Sequence, residues 1–316
     1  MNLRTHIPPY IALIPICAGV FIAADDQTVI VTILPQVMLD LKVQITTELD
    51  RASWIVTGYL VGYLAAMPII GRLSDTWGHR RLFIVAMAMF MAGSVAVAVP
   101  KLSLDIGPMN LNYTNTLSWL IAARVFQAVG AGALVPISIA IVGDLFPSGR
   151  RAIPMGLIGA SAEAGGVVGP LWGGMFINYL NWRWVFWINV PLGTAVLIAL
   201  VILLGPSPRF AARVDYLGGI LIGVSLASVT LGLSKISEPD LLMVLYLVSS
   251  AGTFALFIIH ERSTDHPLLP PSIFRARAFN AANGTHMLVG VTLIIAMVTI
   301  PLMANTAMRL TPLEGG

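Results

Sequence analysis

The sequence is short of charged residues and of cysteine. Only 10% of its 316 residues are charged, whereas an average soluble domain carries about 25%, and the mean hydropathy is +0.86. This composition excludes an ordinary soluble globular protein. Cys17 is the single cysteine, so an intramolecular disulfide is excluded as well, and the redox compartment stays open.

The sequence also lacks the short motifs that mark common enzyme classes. It contains no zinc-binding HExxH, no phosphate-binding loop and no nucleophile elbow. It shows no basic stripe with interleaved aromatic residues, which argues against nucleic acid as a partner. We therefore expect no enzyme activity, no cofactor and no metal site.

Long apolar segments are what the sequence has in abundance. A membrane-spanning helix needs about 20 mainly apolar residues, and a barrel would show strands of alternating polarity, of which there is no sign. The sequence therefore predicts an all-α polytopic membrane protein in contact with the lipid bilayer. The nine predicted spans are 11–34, 54–70, 82–99, 120–142, 152–179, 184–204, 216–233, 241–259 and 281–303.

The basic residues between the spans predict an orientation. One alternating set of connections holds eleven Lys and Arg residues and the other set holds six. Because the excess of Lys and Arg marks the cytoplasmic side, we expect a plasma-membrane protein with a cytoplasmic amino terminus. With nine spans, the carboxyl terminus is then expected outside.

Four charged residues lie within these apolar spans: Asp25, Asp26, Arg124 and Glu163. A charge at the membrane centre costs about 2.5 to 3.5 kcal/mol on insertion scales, so such residues should face the bundle interior or a wet cavity. Gln127 shares one helix face with Arg124. The set indicates a path for protons or substrate. Two alternatives stay open, a static ion pair such as Asp26 with Arg124, and an arginine that snorkels to the membrane surface.

The adjacent aspartates are candidates for proton carriage. Desolvation and like charge each disfavour ionisation, so both carboxyl groups are not expected to be ionised together. Helical spacing places Asp25 on a polar face with Thr28, whereas Asp26 lies among Ile22 and Val29. Spacing alone therefore favours Asp25 as the carrier.

A ridge of small residues marks the fifth span. Gly165, Gly169 and Gly173 recur at every fourth position and would let a neighbouring helix pack closely. Pro170 lies beside the ridge and is expected to kink the helix, because it cannot donate to the preceding turn.

Several stretches together resemble the major facilitator superfamily, and within it the fourteen-helix drug:proton antiporters. GRLSDTWGHRR, residues 71–81, is similar to the signature loop of that superfamily, with Thr76 and His79 where basic residues are usual. RVFQAVGAG, which begins at Arg124, resembles the fourth-helix motif. AGGVVGPLWGG matches the antiporter motif of the fifth helix, with Gly165, Gly169, Pro170, Gly173 and Gly174 in register.

Two further stretches carry the same resemblance. DQTVIVTILP, which begins at Asp26, resembles the first-helix motif of the drug antiporters, although Val31 stands where asparagine is usual. WRWVFWINVP, residues 182–191, is similar to the start of the sixth helix in the family.

The resemblance implies proton-coupled efflux of lipophilic or cationic small molecules, and it places Asp26 in the coupling, against the spacing argument for Asp25. It also implies that residues 71–81 form a cytoplasmic conformational latch. In that latch Asp75 contacts the other half of the transporter, while Arg80 and Arg81 hold the loop at the membrane surface or act only as basic anchors. The motif residues of the latch are Gly71, Asp75, Gly78, Arg80 and Arg81.

The resemblance divides the chain into an amino-terminal six-helix bundle at 1–205, two linker helices at 206–265, and a connection with the first helix of a second bundle at 266–316. The second bundle would lack five helices, so we expect a transporter truncated at its carboxyl end. Two alternatives stay open. One is a membrane remnant or half-subunit that needs a complementary half-transporter, and the other is a nutrient importer.

Overall fold

The computed structural model describes residues 8–42, 45–99, 116–205, 207, 215–236, 239–264, 267–269 and 273–306. Within these ranges the regular elements are helices, with one short 3₁₀ turn at Ser148–Arg150 and another at Ile273–Arg275. The helices are α1 (Pro9–Asp40), α2 (Ile45–Trp77), α3 (His79–Ala98), α4 (Thr116–Leu145), α5 (Ala152–Tyr179), α6 (Arg183–Leu203), α7 (Tyr216–Ser234), α8 (Leu241–Ser263) and α9 (Arg277–Thr306).

The predicted all-α membrane fold is confirmed. Among the described residues, α1 to α8 supply eight segments that are long and apolar enough to cross a membrane. The ninth predicted span, residues 281–303, lies inside α9, a helix of 30 residues.

The signature stretch 71–81 was expected to form a loop between two spans, and that expectation is wrong. α2 continues through Trp77 and α3 begins at His79, so Gly78 alone separates the two helices. Helical backbone bonds do not depend on side-chain polarity, so α2 runs on through its polar end. Gly78 has a φ of 91°, in a region that glycine adopts at no steric cost, and this is where the chain turns.

Helices α1 to α6 pack into one bundle. α1 lies against α5, α6 and α4, while α4 also packs on α2 and α3. The core consists of two apolar clusters, and α1 contributes Ala23 to one and Val29 to the other. The stretch of α1 between these two residues holds both aspartates, so the buried polar groups lie between two apolar layers.

The helices α7 and α8 pack on each other, and α7 also packs on α2. Glycines of α7 permit this approach, since a β-carbon at Gly219 would lie 2.8 Å from Cγ1 of Ile69. α9 packs on the 3₁₀ turn that precedes it. The predicted domain boundaries at residues 206 and 266 lie outside the described residues.

Candidate functional site

Asp26 lies at the centre of the bundle with its side chain fully buried. Its Oδ2 accepts a hydrogen bond of 2.5 Å from Nη1 of Arg124. Its Oδ1 accepts two bonds of 2.9 Å, one from Nε2 of Gln127 and one from Nδ2 of Asn189. The carboxylate therefore joins α1 to α4 and α6, and both of its oxygens are bonded.

Arg124 is as deeply buried as Asp26. Its Nη1 also donates to Oε1 of Gln127 at 2.8 Å, and its Nη2 donates to the carbonyl of Asp26 at 3.3 Å. The guanidinium carbon lies 4.1 Å from the ring centre of Tyr59, a distance at which a cation is attracted to the ring face. Arg124 thus faces the bundle interior and does not snorkel to the membrane surface.

Two members of this network, Ser94 and Asn189, were not identified from the sequence. Oγ of Ser94 accepts bonds from Nε2 of Gln127 at 2.7 Å and from Nδ2 of Asn189 at 3.2 Å. A lone neutral polar residue in an apolar span is cheap enough to be common, so neither residue stood out beside the charges. The signal was present in WINVP, where Asn189 is the one strongly polar side chain.

We call these five residues the core cluster: Asp26, Ser94, Arg124, Gln127 and Asn189. Each of them is at most 3% exposed. The small residue Gly93 brings α3 close enough to join it, since a β-carbon there would lie 2.5 Å from Cβ of Gln127. The cluster ties α1, α3, α4 and α6 together inside the bundle.

Asp25 forms no hydrogen bond with the core cluster, and its backbone lies against α5. It is 7% exposed, and its Oδ1 is buried without a hydrogen-bond partner among the described residues. The backbone of α5 lies directly against it, because a β-carbon at Gly169 would lie 2.8 Å from the Asp25 carbonyl oxygen. A β-carbon at Gly165 would lie 3.0 Å from the Asp25 amide nitrogen.

The contact between α1 and the glycine ridge of α5 is here called the glycine seam. Its α5 side consists of Gly165, Gly169 and Gly173, all of them buried. Gly174 is buried too, and α5 continues as one helix through Pro170. The predicted close packing is thus present, and α1 is the helix that uses it.

Glu163 stands apart from both aspartates. It is exposed on α5 and forms no hydrogen bond or ion pair with any residue in the described part of the chain. Its part in the proton or substrate path stays a prediction.

The signature stretch forms a second polar cluster at the ends of α2, α3 and α4. Nδ1 of His79 lies 2.6 Å from Oδ2 of Asp144, and Nε2 of His79 lies 3.2 Å from Oδ1 of Asp75. His79 is 4% exposed. We call Asp75, His79 and Asp144 the latch cluster. Asp144 was not singled out from the sequence, because it lies just beyond the predicted fourth span.

The other motif residues of the latch have separate surroundings. Nη2 of Arg80 donates to the carbonyl of Val201 at 2.9 Å, so this arginine holds the end of α6. Arg81 is exposed. Gly71 faces α4, where a β-carbon would lie 3.4 Å from Cβ of Pro136. The implied contact of Asp75 with a second bundle stays a prediction.

The linker helices reach the same end of the bundle. Nη2 of Arg72 donates to the carbonyl of Pro267 at 2.6 Å. Both carboxylate oxygens of Glu261, on α8, accept backbone bonds, from Leu268 at 3.0 Å and from Leu269 at 2.9 Å. The segment after α8 is thereby fixed against α2, so the linker pair is attached to the first bundle.

Comparison with known proteins decides the family. Residues 16–313 match the family model described as Major Facilitator Superfamily. The chain belongs to the major facilitator superfamily. This confirms the wider family, while membership of the fourteen-helix drug:proton subgroup stays a prediction.

The relatives of this chain include proteins named as triacylglyceride transporters and one named as a multidrug resistance protein. A triacylglyceride transporter of Mycobacterium tuberculosis is 36% identical, over 92% of this chain and 56% of that protein. Multidrug resistance protein 3 of Bacillus subtilis is 30% identical, over 90% of this chain and 53% of that protein. The chain thus spans about half the length of the curated relatives it matches.

A solved structure was also matched. The D-xylose-proton symporter is 14% identical, covers 79% of this chain with 80% of its own, and has a TM-score of 0.48. This likeness is too distant to bear on substrate or mechanism.

Proposed function

We propose that this superfamily member acts in proton-coupled export of lipophilic or cationic small molecules across the plasma membrane, with Asp25 as the proton carrier. The observation that carries the proposal is the contrast between two neighbouring carboxyl groups. Both oxygens of Asp26 are hydrogen-bonded, while Oδ1 of Asp25 is buried and unpartnered in the described part of the chain.

Asp26 is assigned a structural part in this proposal. Three donors and the charge of Arg124 stabilise its carboxylate, and breaking a buried ion pair by removing one of its charges is costly. Protonation of Asp26 would leave Arg124 as a buried charge without a counter-ion. Because its protonation is so unfavourable, Asp26 suits a permanent structural role better than the role of a group that gains and loses a proton in every cycle.

Asp25 is assigned the coupling role because nothing comparable holds its charge. A buried ionised oxygen without a hydrogen bond is expensive, whereas a protonated carboxyl group carries no charge to desolvate. The two protonation states of Asp25 therefore differ in how well they tolerate the close approach of α5. Gain or loss of one proton can in this way change how α1 and α5 pack along the glycine seam.

One exposed residue of α1 and the names of two relatives support a lipophilic substrate. Val31, which stands where the resembled motif has asparagine, is 61% exposed and gives α1 an apolar open face. The two named relatives are a triacylglyceride transporter and a multidrug resistance protein, and lipophilicity is what such cargoes share. An exposed apolar residue on the helix that carries the titratable carboxyl group of Asp25 is compatible with cargo of that kind.

The same proposal includes the expected topology, with a cytoplasmic amino terminus and an outer carboxyl terminus, and the three-part division at residues 205 and 265. On that topology the latch cluster lies on the cytoplasmic side. Lipid bilayer, small-molecule substrate and protons are the partners it requires. A complementary half-transporter would be a further partner if two chains share the work.

The test compares Asp25→Asn with Asp26→Asn in the protein as its gene encodes it. Right-side-out membrane vesicles are loaded with a lipophilic cationic dye, and efflux is followed with and without an imposed proton gradient, acidic outside. We expect Asp25→Asn to reach the membrane in normal amount and to lose the dependence of efflux on the gradient. Asp26→Asn should lower the amount of folded protein.

Gly166→Ala serves as the matched control, since its β-carbon would make only an ordinary contact, 3.9 Å from Cγ2 of Thr28, and it leaves both carboxyl groups in place. Gradient-dependent efflux by Asp25→Asn at the wild-type level would overturn the assignment of Asp25. Loss of gradient dependence in Asp26→Asn alone, at normal protein abundance, would transfer the role to Asp26.

A further inference from the structure

His79 is the one side chain that holds the latch cluster together. Its ring lies between two carboxylates that belong to other helices, Asp75 at the end of α2 and Asp144 near the end of α4. The ring nitrogens lie 3.2 Å and 2.6 Å from the carboxylate oxygens of these two residues. The resembled motif usually has a permanently charged residue at this place.

The protonation state of the ring decides how many of these bonds exist. A neutral imidazole has one N–H donor and one acceptor nitrogen, whereas the imidazolium has two donors. Carboxylates only accept, so both contacts are hydrogen bonds only when the ring carries two protons. A neutral ring can bond one carboxylate and turns a lone pair toward the other.

Each element next to the His79 ring carries charged groups. Nη1 of Arg72 lies 3.8 Å from Oδ2 of Asp75, so the carboxylate of Asp75 also interacts with the guanidinium of Arg72. Arg151 holds the end of α4 through the carbonyls of Gly143 and Phe146. The full set consists of Arg72 and Asp75 on α2, Arg80 and Arg81 on α3, Asp144 on α4, and Arg150 and Arg151 beyond it.

We propose that His79 is a positioning residue that makes the latch cluster respond to pH on its own side of the membrane. With two ring protons, His79 fixes Asp75 against Asp144 and so fixes the end of α2 to α4. With one ring proton, one carboxylate is released and the end of α2 is freed. The inference rests on the latch in the proposed function, but it does not depend on which residue carries the coupled proton.

The test uses the purified full chain in lipid nanodiscs and measures thermal unfolding between about pH 5 and pH 8, the range in which histidine titrates. We expect the wild-type chain to lose about 2–4 °C of melting temperature as pH rises through this range. His79→Arg should keep the higher value throughout, because arginine stays protonated and can donate to both carboxylates. His79→Gln should keep the lower value throughout.

His260→Gln is the matched control, because His260 forms the other histidine–aspartate contact of the described chain, with Nε2 2.9 Å from both oxygens of Asp215. This variant should retain the wild-type step with pH. Hydrogen exchange at residues 71–78, compared with His79→Arg at each pH, locates the step at the end of α2.

Identical pH profiles for wild type and His79→Arg, in melting temperature and in exchange, would overturn the proposal. His79→Arg keeps the test decisive even if His79→Gln fails to fold. Neither readout involves transport, so a failure here is distinct from a failure of the Asp25 assignment.

Discussion

The two adjacent aspartates of α1 differ in their hydrogen-bond partners. Toward α4 and α6, Asp26 has both oxygens bonded and its charge paired with Arg124. Toward α5, Asp25 meets the glycine seam, where backbone lies against backbone and no side chain of α5 offers a donor. Consecutive residues of a helix point about 100° apart, and that rotation separates a paired charge from an unpaired one.

On the proposed assignment, burial alone does not distinguish a proton carrier from a structural carboxylate. Asp25 and Asp26 are similarly buried, yet the carboxylate of Asp26 accepts bonds from amide and guanidinium groups, whereas Oδ1 of Asp25 has no hydrogen-bond partner among the described residues. Hydrogen-bond donors hold a buried charge in place, and their absence leaves the charge state open to exchange. Each of the following variants alters one face while leaving the other intact.

Arg124→Leu is expected to have the largest effect. It leaves the carboxylate of Asp26 buried without its counter-ion, and breaking a buried pair in this way costs about 3–5 kcal/mol. Thermal unfolding of the purified chain in detergent should show a large loss of stability, together with poor recovery from the membrane.

The double variant Asp26→Asn with Arg124→Gln separates charge from shape. It removes both charges and keeps amide groups that can hydrogen-bond, so we expect it to regain part of the lost stability. An Arg124→Leu chain as stable as wild type would show that the core cluster does not hold the bundle together.

Gly169→Ala tests the other face and should have an intermediate effect. A β-carbon at Gly169 would collide with Oγ1 of Thr28 and lie 2.8 Å from the Asp25 carbonyl oxygen, so α1 and α5 must move apart. Overpacking of this kind costs about 1–3 kcal/mol. Unfolding temperature is the measurement.

Gly166→Ala provides the matched control for that variant. A β-carbon at Gly166 would have its nearest neighbour, Cγ2 of Thr28, at 3.9 Å, which is ordinary contact. Both changes have the same effect on helix propensity, so the difference between them isolates the seam. Equal stabilities for the two variants would contradict the close packing of α1 on α5.

The spans and the small-residue ridge could be predicted from the sequence because each depends on a local pattern. Hydropathy locates helices of membrane length, and the spacing of Gly165 and Gly169 marks one helix face. The sequence also named both ends of the central ion pair, since a charge in an apolar span is expensive wherever it lies. The pairing itself was left open, because Asp26 and Arg124 are 98 residues apart.

What the sequence left unseen depends on contacts between distant segments or on helix ends. Ser94 and Asn189 matter through their bonds to Gln127 and Asp26. No local pattern distinguishes Ser94 from other small polar residues of a span, and the local signal of Asn189, a single amide in WINVP, does not show what it bonds. The signature stretch looked like a loop because it is polar, yet the backbone stays helical as far as Gly78. Glu163 looked buried by position in a span, and its exposure follows from the face of α5 on which it lies.

Ser94→Ala is expected to have the smallest effect of this series and probes the outer edge of the core cluster. It removes the oxygen that accepts from Gln127 and Asn189, but both amides keep their bonds to Asp26. The loss should be about 1 kcal/mol, the net worth of a typical hydrogen bond. Ser138→Ala is the control, because its hydroxyl donates within its own helix, to the carbonyl of Leu134. A larger loss for Ser138→Ala than for Ser94→Ala would mean that Asp26 alone organises these amides and that α3 joins the cluster only by packing.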